Sequence, residues 1–402
     1  MADILSSKSF IQNILYCILA SVFVLAVGEI DALTYTIIFG MSIILISGAD
    51  FNKYCSRSYY LSLFVCIAFI GFIIGLRDFG VGTDTDVYIR SFFYEAQRIH
   101  DIDSFWDYSG DLGFLFLAFL ASLFSDDAQS LLVIVELWIC LFTFAAVHEI
   151  NKNGKRAEWS TLLFFWLLTA LNVSMNWMRQ FCAIAMLMLA FAYLLNGKWK
   201  KAVIIQVVSF FFHSSSIVFA PVFFVYYLSK WENVKLRNIY TVGFLVFTLF
   251  LTSQVFVVLP LLARYGIISE LYSDRYGADS KYEAVNVFGV SIITIYILIY
   301  ALIYYSNKTN YLSNKEVYMA YTIHSMWIVL KLLALFVIYL ARVSEYYFYL
   351  DILLIAIMLR NKKTPVWLKG GIYICFIYYW YRTCIVSNSG ETYPFESQIL
   401  GI

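Results

Sequence analysis

Three short stretches of the chain combine residue types that bind anions and move protons. The first is Gly75-Leu76-Arg77, followed by Asp78-Phe79-Gly80-Val81-Gly82-Thr83-Asp84-Thr85-Asp86. Glycines permit close backbone approach, and clustered N–H groups with Thr hydroxyls form a cradle for an anion or a sugar. Asp84 and Asp86 add acceptors for sugar hydroxyls or for general-base work, though Asp84 is also placed to cap the following helix. These acids do not follow calcium-loop spacing, so no metal is expected there. The second stretch, Asn172 to Gln180, sets Arg179 and Gln180 in the first turn of a helix. A cation there has the wrong sign for the helix dipole, so a ligand phosphate or a neighbouring carboxylate must compensate it. The third places His213 between Phe210-Phe211-Phe212 and Ser214-Ser215-Ser216. Such a histidine is either a satisfied core residue or part of a watery lining, and imidazole titrates nearest neutrality. Lys331 stands seven residues after His324, on roughly one helical face, and needs a buried acid. Glu345, Asp351 and Glu136 are the candidates.

The elements that must position these residues lie in a membrane. The chain is 62% hydrophobic and 14% charged, with mean hydropathy +0.76 over 402 residues, whereas a soluble domain runs near a quarter charged. Helical spans of about 20 apolar residues are predicted at 9–28, 32–48, 58–75, 128–148, 159–173, 178–195, 239–262, 286–306, 318–340, 343–360 and 368–386. The expected fold class is therefore all-α and polytopic, with about 11 transmembrane helices in one integral domain, residues 1–402. The first span resembles a signal peptide, but its apolar stretch is too long for one, and a retained anchor is expected. Leu112–Phe124 is too short to cross and is read as re-entrant. Residues 202–228 are read as a broken helix or hairpin with His213 at its tip; a single crossing is the alternative. Non-helical backbone at membrane depth requires a protein or water-filled cavity around it. Long outer loops are expected at 76–111, with an interfacial helix near 86–99, and at 263–285. The seven cysteines read as small buried hydrophobes.

Lys and Arg in short loops orient the spans. Fourteen Lys and four Arg then face the cytoplasm, together with the N-terminus, against six acids. Arg77, Arg90, Arg98, Arg179, Arg264, Arg275, Arg342 and Arg382, with Lys281 and Lys331, lie outside or embedded among 21 acids. The overall net charge of +1 is thus the sum of two opposite imbalances, and it argues against a nucleic-acid partner. Arginines placed against the insertion preference either pair with outer carboxylates or line a pocket for an anionic head group. Outer tyrosines and tryptophans such as Tyr88 and Trp177 suit an interfacial belt or stacking against sugar rings. No nucleotide-binding or hydrolase signature is present, and no cofactor is expected.

The run Gly75-Leu76-Arg77…Gly82-Thr83-Asp84-Thr85…Tyr88 resembles the EpsG family and the related Wzy-type repeat-unit polymerases of bacterial surface polysaccharides. Asn176-Trp177-Met178-Arg179-Gln180-Phe181-Cys182-Ala183 is similar to their N-x-x-R-Q-x-x-A element, and Phe212-His213-Ser214-Ser215 to their F-H-x-S element. Arg342…Tyr346-Tyr347-Phe348 and Tyr393-Pro394-Phe395 match weaker, later elements. A departure falls at Trp106 to Phe114, where a Glu-Pro-Gly-Phe-like run is expected and only Asp111 and Gly113 partly preserve it. The resemblance implies a GT-C-like, lipid-dependent glycosyltransferase architecture in the bacterial inner membrane. Its implied activity is polymerisation of undecaprenyl-pyrophosphate-linked oligosaccharides on the outer face, into O-antigen or capsular polysaccharide. The implied partners are the lipid-linked donor and acceptor, the bilayer and a chain-length regulator protein. Arg179, Arg77 and Arg342 are then expected on the pyrophosphate. His213 or Asp84 would be the base, His213 being preferred. Thr83, Thr85, Asn176, Gln180 and Tyr88 are expected around the substrate. A lipid-oligosaccharide flippase and an O-antigen ligase are the alternative readings.

Overall fold

The computed structural model describes residues 2–99, 101–106, 108, 110–152, 154, 156–253, 290–334 and 339–402. Among the described residues all regular structure is helical, and it packs as two compact units, each taken separately here.

The first unit comprises Met1–Ile217 and Ile352–Ile402. Its helices are α1 (Ala2–Ala26), α2 (Leu33–Phe51), α3 (Arg57–Gly75), α4 (Thr85–Gln97), α5 (Ile102–Trp106), α6 (Leu112–Ser122), α7 (Gln129–Asn151), α8 (Trp159–Asn176), α9 (Met178–Leu195) and α10 (Trp199–Phe212). The core is α9 packed between α7 and α10, with α3 on the other side of α7. Five spans, Lys8–Ala26, Ile30–Phe51, Arg57–Gly75, Gln129–Asn151 and Met178–Leu195, are long and apolar enough to cross a membrane. Several of their large side chains face outward, among them Leu15 and Phe64, the latter 70% exposed. Such a surface is stable in hydrocarbon and not in water. α1 packs on α2 and α8; Asn13 donates to Thr161 of α8 and accepts from Tyr373 of the later helix Val366–Trp380. Ser56 starts α3 by accepting a hydrogen bond from Tyr59 N–H.

α6 has 11 residues, too few to cross, as its sequence predicts. The expected interfacial helix is α4, and it packs on α6. The break in 202–228 falls at His213, where α10 ends in extended backbone and a 3-10 turn, Ser214–Phe219, begins. All seven cysteines are free thiols and five of them are buried; Cys55 is exposed and Cys375 half-buried.

The second unit, Val218–Asp351, holds α11 (Ala220–Leu228), α12 (Val234–Ser253), α13 (Val290–Lys308), α14 (Asn314–Leu333) and the first part of α15 (Tyr339–Met358). A capping box of Ser313 and Glu316 starts α14. α14 packs on α11, α12 and α13. α14 and α15 carry charges that pair with each other. Lys331 Nζ donates to Glu345 Oε1 at 2.7 Å, and His324 Nδ1 lies 2.8 Å from Asp351 Oδ2, all four residues being buried. Of the three acids proposed for Lys331, Glu345 is its partner. After Asp351 the chain returns to the first unit, where α16 (Val366–Trp380) packs on α8. The expected spans 239–262, 286–306 and 318–340 lie partly outside the described residues, and the expected loop at 263–285, with Arg264, Arg275 and Lys281, lies wholly outside them.

Candidate functional site

The loop after α3 is held by Arg77. Its side chain is fully buried: Nη1 donates to Glu136 Oε1 of α7 at 2.9 Å, and Nη2 donates to the Met175 carbonyl at 2.9 Å. A third bond runs from Nη1 to the Ile74 carbonyl. One guanidinium thus ties the end of α3, the middle of α7 and the end of α8 together, and none of it reaches a surface. Thr85 is equally buried and donates to the Val81 and Met175 carbonyls. Gly82 takes φ +99°, and a Cβ there would stand 2.8 Å from the Met175 carbonyl oxygen, so only glycine fits.

Asn176 finishes the loop from the end of α8. Its Oδ1 accepts from the Thr83 hydroxyl at 2.8 Å and from Asp84 N–H at 3.0 Å. The C-terminal tail lies across the same loop: Gly82 N–H and Thr83 N–H donate to the Glu391 and Gly390 carbonyls, and Asp78 N–H donates to that of Glu396. Gly390 (φ +83°) sits where a Cβ would meet the Asn176 amide at 2.6 Å. Asp84 takes the N-cap position of α4 without a side-chain cap bond, which leaves its half-buried carboxylate free of that role. Thr83 is exposed, and Tyr88, one turn into α4, is half-buried.

Trp177 breaks the helix between α8 and α9, so Arg179 and Gln180 fall in the first turn of α9. Gln180 is buried. The compensation that Arg179 requires comes from a carboxylate: Nη1 donates to Asp111 Oδ2 at 2.7 Å, with the two side chains 23% and 15% exposed. The guanidinium carbon lies 3.9 Å from the centre of the Tyr88 ring and 5.6 Å from that of Phe92. Ring contacts hold the cation without neutralising it, and the side chain stays partly exposed. Tyr108 packs edge-on against Phe92. Burial pushes its phenol above the ordinary range, with the nearby Arg179 cation opposing the shift.

The same Asp111 oxygen lies 3.5 Å from His213 Nδ1, beyond normal hydrogen-bond length, and that nitrogen is buried without a partner among the described residues. The approach is set by packing. Phe212 stacks on Trp138 of α7 at 4.9 Å and covers Gly113, where a Cβ would stand 2.6 Å from the Phe212 ring. α6 and α10 can meet this closely only with glycine at 113, and Asp111 and His213 then converge beside the contact. Asp111 occupies the N-cap position of α6 but makes no cap bond; its carboxylate reaches across to α9 and α10 instead.

The structure therefore joins Arg179 and His213 through Asp111, which sequence reasoning did not place in the site, and sets Tyr88 against the Arg179 guanidinium. The signal was present, since Asp111 and Gly113 are the two surviving residues of the departed motif. Arg77, Thr85, Asn176 and Gln180 are buried. Arg342 belongs to the second unit, within α15. Of the other outer arginines, Arg90 and Arg98 pair with Asp86 and Glu95 within α4 and at its end. Among the described residues no group of three or more His, Cys, Asp or Glu side chains has the arrangement of a metal site.

No curated protein and no solved structure matches the chain. The model of the EpsG family, a Wzy-like polysaccharide polymerase family, matches residues 59–397, a range that contains every residue of the cluster. The chain is a member of the EpsG family.

Proposed function

We propose that the chain polymerises lipid-pyrophosphate-linked oligosaccharide repeat units, with Arg179, Asp111 and His213 at the reacting centre. The family supports a polysaccharide polymerase role, and the helices support a membrane location. The single observation that carries the residue assignment is the convergence of a partly exposed arginine and a histidine on one carboxylate.

In the proposed reaction an acceptor sugar hydroxyl attacks the anomeric carbon of the growing chain. The carbon–oxygen bond to pyrophosphate breaks, and the electron pair leaves with the undecaprenyl pyrophosphate. Arg179 donates N–H groups to the departing phosphate, where charge develops, and such contacts stabilise the transition state most. His213 takes the hydroxyl proton on Nε2 while Asp111 steadies Nδ1–H; a gap of 3.5 Å is one that substrate binding closes in many catalytic pairs. Asp84 and the exposed Thr83 offer acceptors to sugar hydroxyls, and Tyr88 supports the guanidinium. Arg77 acts as a positioning residue, through the loop it ties down. The wider reading is an 11-span, GT-C-like protein with a cytoplasmic N-terminus and the centre on the outer face of the inner membrane. A chain-length regulator is its expected protein partner.

The test is Arg179→Ala in cells. The protein should insert normally yet yield only single-repeat, lipid-capped glycan on a ladder gel, with long chains reduced roughly 100-fold or more. Arg179→Lys should restore little, because a point charge lacks the planar fork. Normal ladders from either variant would overturn the assignment.

A further inference from the structure

A second cluster of cations lies in the second unit. The ends of α11 and α13 and the starts of α12 and α14 surround a cavity of about 830 Å³. Lys230, Arg237 and Lys315 line it. Among the described residues these cations rest on rings and not on carboxylates. Lys230 Nζ and Lys315 Nζ both lie 4.3 Å from the centre of the Tyr226 ring, and the Arg237 guanidinium carbon lies 4.4 Å from that of Tyr318. A ring holds a cation without neutralising it, so two ammonium groups sharing one ring still repel each other. Arg237 Nε is buried with no hydrogen-bond partner among the described residues. Glu232 lines the cavity but is exposed, and Glu316 bonds the Ser313 cap. Asn238 and Asn314 add amide donors to the wall.

We propose that this cavity binds the phosphate of an anionic phospholipid head group. A stacked guanidinium offers its N–H edge to two phosphate oxygens, and the paired ammonium groups take the remaining charge. The lipid source is argued from the rim. Val234, Leu236, Ile239, Tyr240 and Val242 of α12 are exposed, and an apolar, aromatic face beside a basic pocket belongs at the head-group level of a bilayer. Lys235 and Lys308 flank the same helix ends, a basic density that directs this end to the cytoplasmic leaflet, where anionic lipids attract such pockets.

The test uses the full chain in lipid nanodiscs of phosphatidylcholine, with and without phosphatidylglycerol, read by native mass spectrometry and thermal denaturation. Wild-type protein should retain phosphatidylglycerol and melt at higher temperature when it is present. Arg237→Gln with Lys315→Gln should lower retention about tenfold, as loss of charge-assisted contacts implies. Lys230→Gln, at an exposed position, should give a smaller loss while preserving the fold, and Lys362→Gln, outside the cavity, should give none. Equal retention by wild type and both cavity variants would overturn the proposal. So would full reproduction of the thermal shift by inorganic pyrophosphate in phosphatidylcholine discs, which would reassign the cavity to a soluble phosphate.

Discussion

Arg179 carries the wrong charge for the first turn of α9, and the chain answers with Asp111. That carboxylate offsets the dipole conflict in the resting protein and leaves the Arg179 side chain partly exposed. Its second contact, to His213, gives it a further role. A carboxylate beside Nδ1 selects the tautomer in which Nε2 is the basic nitrogen. Asp111→Asn keeps the size and the N-cap position, so the protein should still fold. It should nevertheless lower polymerisation by roughly 100-fold or more, the usual worth of an oriented base. Chain-length ladders from membranes containing equal amounts of wild type and variant would measure this. A ladder of normal length would remove Asp111 from the proposed mechanism.

At the level of elements, Arg77 and Glu136 form a bolt through α3, α7 and α8, with neither side chain exposed. Removing one partner strands a buried charge, at about 3–5 kcal/mol, whereas replacing both by apolar residues of similar size is often tolerated. Arg77→Ala should therefore lower the amount of folded protein in membranes, unlike Arg179→Ala. Arg77→Met combined with Glu136→Leu should recover much of that amount. Detergent-extracted yield and melting temperature separate the two kinds of arginine. If Arg77→Ala melted like wild type and lost only polymerisation, Arg77 would be a substrate ligand and not a bolt. The α6–α10 contact works differently: its geometry depends on the missing side chain of Gly113 under Phe212.

Across the whole molecule the proposed orientation, set by Lys and Arg in the short loops, sorts the basic and acidic residues into two populations by side. Orientation can be read with single cysteines in a Cys55→Ser background, since Cys55 is the one exposed native thiol. An impermeant thiol reagent applied to intact cells should label Thr83→Cys, which is exposed beside the candidate site. It should label Lys362→Cys only after the membrane is opened. The reverse pattern would put the candidate site in the cytoplasm, where the proposed outer-face polymerisation fails.

The sequence alone determined that this is a helical membrane protein, because 62% apolar content leaves no water-soluble solution. It also located the breaks: Trp177 between α8 and α9, and His213 at the end of α10, are legible because polar residues interrupt otherwise apolar runs. Local sequence also placed Arg179 in a helix's first turn and marked it as needing a counter-charge. Which counter-charge was undecidable there, since Asp111 is 68 residues away and several outer acids were equally available. Tertiary packing made that choice, through the close approach that Gly113 allows. It likewise separated two arginines that look alike in sequence. Arg77 is enclosed by three helices and a carboxylate, whereas Arg179 rests on a ring and stays partly exposed. Burial is a property of what surrounds a residue in space, so spacing along the chain could nominate both but not tell them apart.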